Sequence, residues 1–345
     1  MNDQFSLFFF ELVARLGDQF VRDAIKEVQS LTRVNPRSAA QLANFLPGFL
    51  QFLEDEEERV QALAIISSAF IAAGECRKAE YFLVEAEEIA RLPKLRGELA
   101  SRRVSLLLEK RIWRDARRML ERGLDLAREY SLDEIQTRLD LQAGMLHFLV
   151  EGNADLAARV TLKVLNSPAA VPRTRRAALA NLINYLGALR PKSALRFLNG
   201  FFIFNRRLKV NRLNCYFAWV DGYLRALLAP EKNQRRLARD RLVWAMEGFQ
   251  EIGCRRDAIY AGLDLLTVGY EAQARGPMLQ SARAVIATLL DSPETPDHVK
   301  GEVRRYLEHP THPSARAIRT AIVDQQGHPL QRLQRPVRAV DSAHH

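Results

Sequence analysis

The chain has 345 residues, of which 48% are hydrophobic and 27% charged, which is enough to bury a large core as two domains or as one repeat array. No run of about 18 uncharged apolar residues occurs and no basic leader precedes the first apolar run, so we expect neither a membrane span nor a secretory signal. The three cysteines, Cys76, Cys215 and Cys254, are isolated, which argues against a disulfide framework or a zinc site and favours a reduced, cytoplasmic setting with buried thiols.

The net charge of +10 is unevenly distributed along the chain. Residues 1–158 carry a net charge of −5, residues 159–241 carry +15, and residues 242–345 carry zero. The middle segment contains 18 Lys and Arg residues against 3 Asp and Glu residues. Such asymmetry predicts a local positive field that attracts an acidic partner.

Helical periodicity runs through nearly the whole chain, because apolar residues recur at steps of three and four. Glycines and prolines divide it into segments of about 12–20 residues, which predicts an all-α protein of antiparallel helix pairs joined by short turns. Residues 1–58 are expected to form an N-terminal helical cap, since the end of such an array has one face in water.

Two features of this predicted cap have alternative interpretations. The aromatic cluster from Phe5 to Phe10 is expected to pack beneath the first helix pair, and the alternative is an exposed docking patch. The acidic run from Glu54 to Glu58 precedes a predicted helix, where negative charge complements the helix dipole. We favour that role over an acidic binding site.

The clearest repeated unit begins near Val60. Leu63, Ile66 and Phe70 form one face of a helix, and the small Ser67 on that helix lets a second helix approach closely. Ala79 and Ala86 are small where the second helix crosses the first. This unit resembles the tetratricopeptide repeat (TPR). The resemblance implies a right-handed α-solenoid with a concave groove that binds peptides or protein segments.

Weaker copies follow the first unit. The alanines that anchor the second helix of each pair, Ala79, Ala116, Ala157 and Ala194, are 37, 41 and 37 residues apart, which is longer than the roughly 34 residues typical of the family. Further helix pairs are predicted at about 211–252 and 255–291. We therefore expect the TPR-like array to span 59–292, capping helices to span 293–326, and a flexible tail to span 327–345.

Aromatic residues and cations alternate between Arg196 and Trp219, a composition also found at nucleic-acid surfaces. A helical wheel assigns Phe197, Leu198, Phe201, Phe202 and Phe204 to a core side with Arg196 and Asn199 opposite, and leaves Ile203 as the apolar outlier. In the next helix the wheel assigns Asp221 and Arg225 to the solvent side. The rings are thus predicted to pack between helices and not against bases.

The cations of the middle segment lack such a structural explanation. Positive charge at a helix start is unfavourable to the helix dipole, so stability does not account for the arginines after Pro172. We predict a basic surface for partner binding that comprises Arg173, Arg175, Arg176, Arg206, Arg207, Lys209, Arg212, Arg235 and Arg236.

No catalytic signature accompanies this surface. The chain lacks GxGxxG, Walker-type, HExxH and GxSxG motifs, and we expect no cofactor and no metal. An enzyme is therefore not expected, and a hydrolase assembled from distant residues is the weakest alternative.

Two functions remain open. The first is a non-catalytic scaffold or adaptor that binds a protein or peptide, favouring an acidic segment, through a basic groove in residues 159–241. The second is a nucleic-acid-associated regulator that binds RNA or DNA phosphates through the same stretch. Since no nucleic-acid-binding module is recognisable, we favour the first.

Overall fold

The structure is a computed structural model that describes residues 17–204, 209–228, 232–271 and 277–292, together with residues 295, 300, 303 and 304. Over these residues the chain forms helices and turns without a strand, which confirms the all-α prediction. The helices are α1 (Asp18–Val34), α2 (Pro36–Ala43), the 3-10 helix η1 (Pro47–Phe52), α3 (Glu56–Ala73), α4 (Cys76–Ile89), α5 (Pro93–Lys110), α6 (Trp113–Glu129), α7 (Asp133–Leu149), α8 (Ala154–Asn166), α9 (Pro172–Leu189), α10 (Pro191–Phe204), α11 (Arg212–Leu228), α12 (Lys232–Glu251), α13 (Arg255–Glu271) and α14 (Pro277–Leu290).

The helices pack in series. Each α-helix contacts the next one in the sequence, and each odd-numbered helix also contacts the next odd-numbered helix. The odd-numbered helices thus form a continuous row, which we call the inner row, and we call the even-numbered helices the outer helices. This arrangement is repeat-like and compatible with a solenoid.

Burial separates the two sets of helices. Beyond the first six residues of each helix from α3 to α13 in the inner row, Leu189 is the one exposed residue among those that the structure describes. The outer helices instead present an exposed side chain at nearly every turn. The inner row is therefore the structural core, and the accessible surface of the array belongs mainly to the outer helices and to the starts of the inner ones.

A buried alanine fixes each outer helix against the inner row. The fourth residue of each of the first five outer helices is an alanine with 0% exposure, namely Ala39, Ala79, Ala116, Ala157 and Ala194. Ala238 and Ala282 are also fully buried in α12 and α14. The predicted anchoring alanines are confirmed, and Ala39 extends the series into the expected cap.

Two of these alanines pack against glycines on the inner row. A Cβ atom on Gly222 of α11 would lie 2.8 Å from the carbonyl oxygen of Ala238, and one on Gly144 of α7 would lie 3.4 Å from that of Ala157. Real Cβ atoms do not approach other atoms as closely as the first distance. The backbones of α11 and α12 consequently meet with no room for a side chain between them.

The repeat unit around Val60 has the predicted structure. Leu63, Ile66, Ser67 and Phe70 are fully buried in α3. Asp55 caps this helix by accepting a hydrogen bond from the amide of Glu57 at 2.9 Å, and acidic residues occupy the first turn. The acidic run thus stabilises a helix N-terminus, as expected.

The early turns of the array contact a much later part of the chain. The amide of Arg37 donates to the carbonyl of Ile252 at 3.0 Å, and Arg111 Nη2 donates to the hydroxyl of Tyr260 at 2.9 Å. Between these contacts lies a small cleft that is lined by Ala72, Ala73, Gly74, Glu109, Arg212, Cys254, Arg255 and Asp257. We call these interactions the closure contact, because they join the turns after α1, α3 and α5 to the start of α13.

A glycine enables the closure contact. Gly253 has a φ of +80°, and a Cβ atom there would lie 2.5 Å from Cβ of Arg37. Any other residue would be strained by this φ value and would also collide with Arg37. The turn between α12 and α13 is thus shaped to receive the turn between α1 and α2.

Several predictions from the sequence fall outside the described residues. These are the Phe5 to Phe10 cluster, the tail at 327–345, and the capping helices at 293–326 apart from the four isolated residues given above. The helix pairs predicted at 211–252 and 255–291 do lie within them and are observed as α11 with α12 and α13 with α14.

Two glycine substitutions test the close packing of outer on inner helices. Gly222→Ala should lower the midpoint of thermal unfolding, because overpacking against the Ala238 carbonyl costs about 1–3 kcal/mol. Gly200→Ala is the matched control in α10, where a Cβ atom meets nothing within 4 Å. It should leave the midpoint unchanged or raise it through better helix propensity. Circular dichroism melts of both variants measure this, and equal midpoints would contradict the packing assignment.

Candidate partner-binding surface

The positive segment contains a long stretch without any acidic side chain. Residues 156–220 hold 12 Lys and Arg residues and no Asp or Glu. This stretch covers most of α8, all of α9 and α10, and the first half of α11. Within it, a cation can find a carboxylate only by reaching another part of the fold.

The first turn of α9 carries three of the predicted surface residues. Arg175 and Arg176 are exposed, and Arg173 is half-buried. Pro172 occupies the first turn, which contains no acidic residue, and the Val171 side chain offers no cap. Arg175 Nη2 donates to the carbonyl of Ser167 at 3.1 Å. These positive charges stand at the positive end of the helix dipole, so their presence costs stability.

The connection from α10 to α11 carries four more. Lys209 is exposed, and its carbonyl accepts hydrogen bonds from the side-chain amides of Asn211 and Asn214. Arg212 Nη2 lies 3.4 Å from Asp257 Oδ2, so this arginine forms an ion pair beside the closure contact. Arg206 and Arg207 lie outside the described residues.

The outer helix α12 carries the last two, with Arg235 half-buried and Arg236 exposed. The predicted residues are thus distributed over the starts of α9 and α11 and over one outer helix. Beyond Arg176, the described part of α9 presents no exposed cation. The accessible positive charge of the segment lies on outer helices and at the ends of inner ones.

Exposed cations that were not among the predicted residues belong to the same surface. Arg190 after α9 and Lys192 and Arg196 of α10 are exposed, and no ion pair joins them to a carboxylate among the residues that the structure describes. Lys163 of α8 is also exposed, and its charge opposes the effect of burial, which raises the pKa of Asp140 on α7. The sequence signal that could have identified them is the absence of acid over 156–220, since no local partner exists for any of them.

Inner cations of the neighbouring helices are, by contrast, paired. Arg102 of α5 donates through Nε to the carbonyl of Ala64 and through Nη1 to Glu98. Burial lowers the pKa of Arg102 to about 10, which still leaves it charged at neutral pH. Arg138 of α7 lies 3.4 Å from Glu134 and 3.7 Å from Glu98. These arginines stabilise the inner row and have carboxylates to neutralise them.

The helical wheel was wrong for the polar side of α11. Asp221 and Arg225 are buried, with 0% and 6% exposure, although the wheel assigned them to solvent. Asp221 Oδ2 accepts from Arg225 Nε at 2.9 Å and lies 3.3 Å from Nε of Arg241 on α12. The physical reason is that α12 covers the side of α11 that carries these charges, so they pair with one another in the interior.

Side chains from both neighbours complete this cluster. Arg225 also donates to Gln234 Oε1 at 2.8 Å and to Asn199 Oδ1. The Arg241 guanidinium lies over the ring of Phe202 at 3.7 Å from its centroid. Burial raises the pKa of Asp221, and the guanidinium groups of Arg225 and Arg241 oppose that shift. The cluster holds α10, α11 and α12 together and removes two arginines from the accessible charge.

The wheel was also wrong for Phe197. It assigned this ring to the core, but 44% of Phe197 is exposed, whereas Leu198 and Phe202 are buried. The reason is geometric: α9 and α11 pack mainly against one side of α10, and the side that carries Phe197 is covered only in part, by the edge of the Phe217 ring. Ile203, the predicted outlier, is 63% exposed.

The thiols lie as expected from their isolation. Cys215 and Cys254 are buried and Cys76 is partly buried. Burial raises the pKa of Cys215 to about 12, so its thiol is protonated and unreactive at neutral pH.

No protein-family model matches the chain, and no curated protein sequence matches it either. Across the parts of the chain that the structure describes, no helix is both long and apolar enough to cross a membrane. Over the same residues, His, Cys, Asp and Glu side chains do not gather in a group that could hold a metal ion.

The buried cluster gives a stability prediction. Asp221→Asn should destabilise the protein by about 3–5 kcal/mol, because two interior arginines lose their carboxylate. Asp155→Asn is the matched control, since its ion pair with Arg159 is largely exposed and contributes little. Urea unfolding followed by tryptophan fluorescence compares the two variants. If Asp221→Asn unfolds at the same urea concentration as Asp155→Asn, the cluster does not hold the three helices together.

Proposed function

We propose that the chain is a non-catalytic scaffold or adaptor of TPR-like type that binds an acidic segment of a protein partner through the cations of residues 159–241. The proposal includes a right-handed α-solenoid of antiparallel helix pairs. The serial packing, the short connections and the alanine spacing support this architecture.

The observation that carries the proposal is unpaired charge. Arg176, Arg190, Lys192, Arg196, Lys209, Arg235 and Arg236 are cations at or near the surface without a carboxylate partner in the described chain. Their mutual repulsion destabilises the folded state, and a helix start such as that of α9 adds a further cost. An acidic partner removes both costs when it binds.

The accessible surface determines where such a partner would contact the array. The inner row beyond its first turns offers half-buried side chains that are already in contact with neighbours, and its arginines are paired with Glu98 and Glu134. We therefore propose that the partner contacts the outer helices and the start of α9, and not a groove along the inner row.

Charge reversal tests this proposal. A variant with Arg175, Arg176, Arg235 and Arg236 changed to Glu should lose capture of acidic partners from an extract of the native source, while its helicity by circular dichroism stays unchanged. The control variant carries the same charge change at Arg77, Arg91, Arg114 and Arg122, which are exposed cations in the net-acidic part of the chain. Equal capture by both variants would refute the basic surface.

Salt and nuclease separate protein from nucleic acid as the partner. Capture of a protein partner should persist after nuclease treatment and weaken as salt rises. Titration with nonspecific single- and double-stranded nucleic acid at low salt provides the second measurement. Complexes that disappear with nuclease, together with tight nucleic-acid binding, would favour a nucleic-acid-associated regulator.

A further inference from the structure

The exposed side of α10 combines positive charge with large apolar side chains. Lys192, Arg196, Gly200 and Ile203 follow one another at helical spacing, and Phe197 lies beside them. The side chains of Lys192, Arg196, Phe197 and Ile203 are exposed, and the Cβ position of Gly200 meets no atom within 4 Å. We call this set of five residues the α10 face.

Packing within the protein does not account for the apolar members. The opposite side of α10 already supplies the buried Ala194, Leu198 and Phe202 to the core with α9 and α11. Phe197 contacts the ring of Phe217 edge-on at 6.4 Å between centroids, and 44% of it still faces outward. An exposed β-branched residue such as Ile203 also gains nothing in helix propensity.

The α10 face contains a gap at Gly200, between the side chains of Phe197 and Ile203. Phe197 and Ile203 stand on either side of Gly200, where the missing side chain brings the helix backbone close to the surface. A side chain from another molecule can enter this gap between two apolar walls. Lys192 and Arg196 lie at the end of the helix that adjoins the exposed Leu189 and Arg190, so charge and apolar area continue beyond α10.

We infer that the α10 face docks an acidic amphipathic helix of the protein partner. The inference rests on the proposed function and names the chemistry of its partner. Apolar side chains of that helix contact Phe197, Gly200 and Ile203, while Glu and Asp side chains along its edge pair with Lys192 and Arg196. The stretch from residue 156 to residue 220, which contains all of α10, carries no acidic side chain that would repel such a helix.

Nucleic acid fits the same face less well. Phosphates pair with Lys192 and Arg196 and one base could stack on the exposed Phe197 ring, but the aliphatic side chain of Ile203 offers no flat ring for a second base. A partner that uses both the cations and the aliphatic surface needs apolar side chains of its own, which an amphipathic protein helix supplies.

The experiment uses the full chain and a synthetic 18-residue amphipathic peptide probe, of about five helical turns, with Glu on its polar face and Leu and Phe on its apolar face. Fluorescence anisotropy at low salt should detect binding. Lys192→Glu with Arg196→Glu, and separately Phe197→Ser with Ile203→Ser, should each weaken binding by about tenfold or more. Arg114→Glu with Arg122→Glu on α6 is the control for charge, and Tyr81→Ser with Val84→Ser on α4 is the control for exposed apolar area.

The possible results distinguish specific docking of the helix from nonspecific attraction and from binding of polyanions or lipid. Loss of binding with both α10 pairs, and not with either control, supports the inference. Loss with the charge pair alone, or equal binding of a scrambled peptide of the same composition, overturns it in favour of nonspecific electrostatic attraction. If heparin or anionic vesicles displace the peptide and show the same loss with the Phe197 and Ile203 variant, the face binds polyanions or lipid instead.

Failure of this inference is distinguishable from failure of the proposed function. If native partners lose capture with the Arg175, Arg176, Arg235 and Arg236 variant but tolerate both α10 pairs, the scaffold function stands and the α10 face is not its contact. If neither set of variants affects capture, both statements fail together.

Discussion

Backbone-close packing between each outer helix and the inner row is the constraint on which the rest of this structure depends. A fully buried alanine near the start of each outer helix permits the approach, and glycines such as Gly222 receive it at the tightest point. Because this packing repeats along the described chain, each inner helix from α3 to α11 has neighbours before, after and beside it. Little of its surface then remains for solvent or for a partner.

That constraint decides where charge can be displayed. Charged side chains on inner helices must find partners in the interior, as Asp221 and Arg225 do with Arg241, or lie at the start of the helix, as Arg175 and Arg176 do. The remaining exposed cations lie on the outer helices and in the connections between helices, as Arg190 and Lys209 do. The closure contact adds to this effect, because it joins early turns to the start of α13 and uses Arg212 in an ion pair with Asp257.

The sequence predicted those features that arise from local spacing. The anchoring alanines, the face formed by Leu63, Ile66 and Phe70, and the acidic run at the start of α3 all follow from residues close together in the chain. The burial of Asp221 could not be predicted in this way, since a helical wheel gives the phase of a helix but not which neighbours cover it. Asp221 and Arg225 are four residues apart, which is the spacing of an ion pair on one helix, but this pair was not among the predictions.

Contacts between residues that are far apart in the chain could not be predicted from the sequence. The approach of Arg37 to Gly253 joins residues more than two hundred positions apart, and no pattern near either one indicates it. The partner-binding surface stays a prediction: the charge asymmetry identifies residues 159–241 as basic, and the burial pattern shows which of the described cations are exposed. The exposure of the Phe197 side chain could be recognised only from the contacts that α10 makes in the fold.

Hydrogen–deuterium exchange of the full chain with its captured partner tests the central claim most directly. The measurement compares amide protection in the free and bound protein along every helix. The account predicts added protection in α10 and in the first turns of α9, with the inner helices α3, α5 and α7 unchanged. Added protection confined to the inner row, with none in α9 or α10, would contradict it.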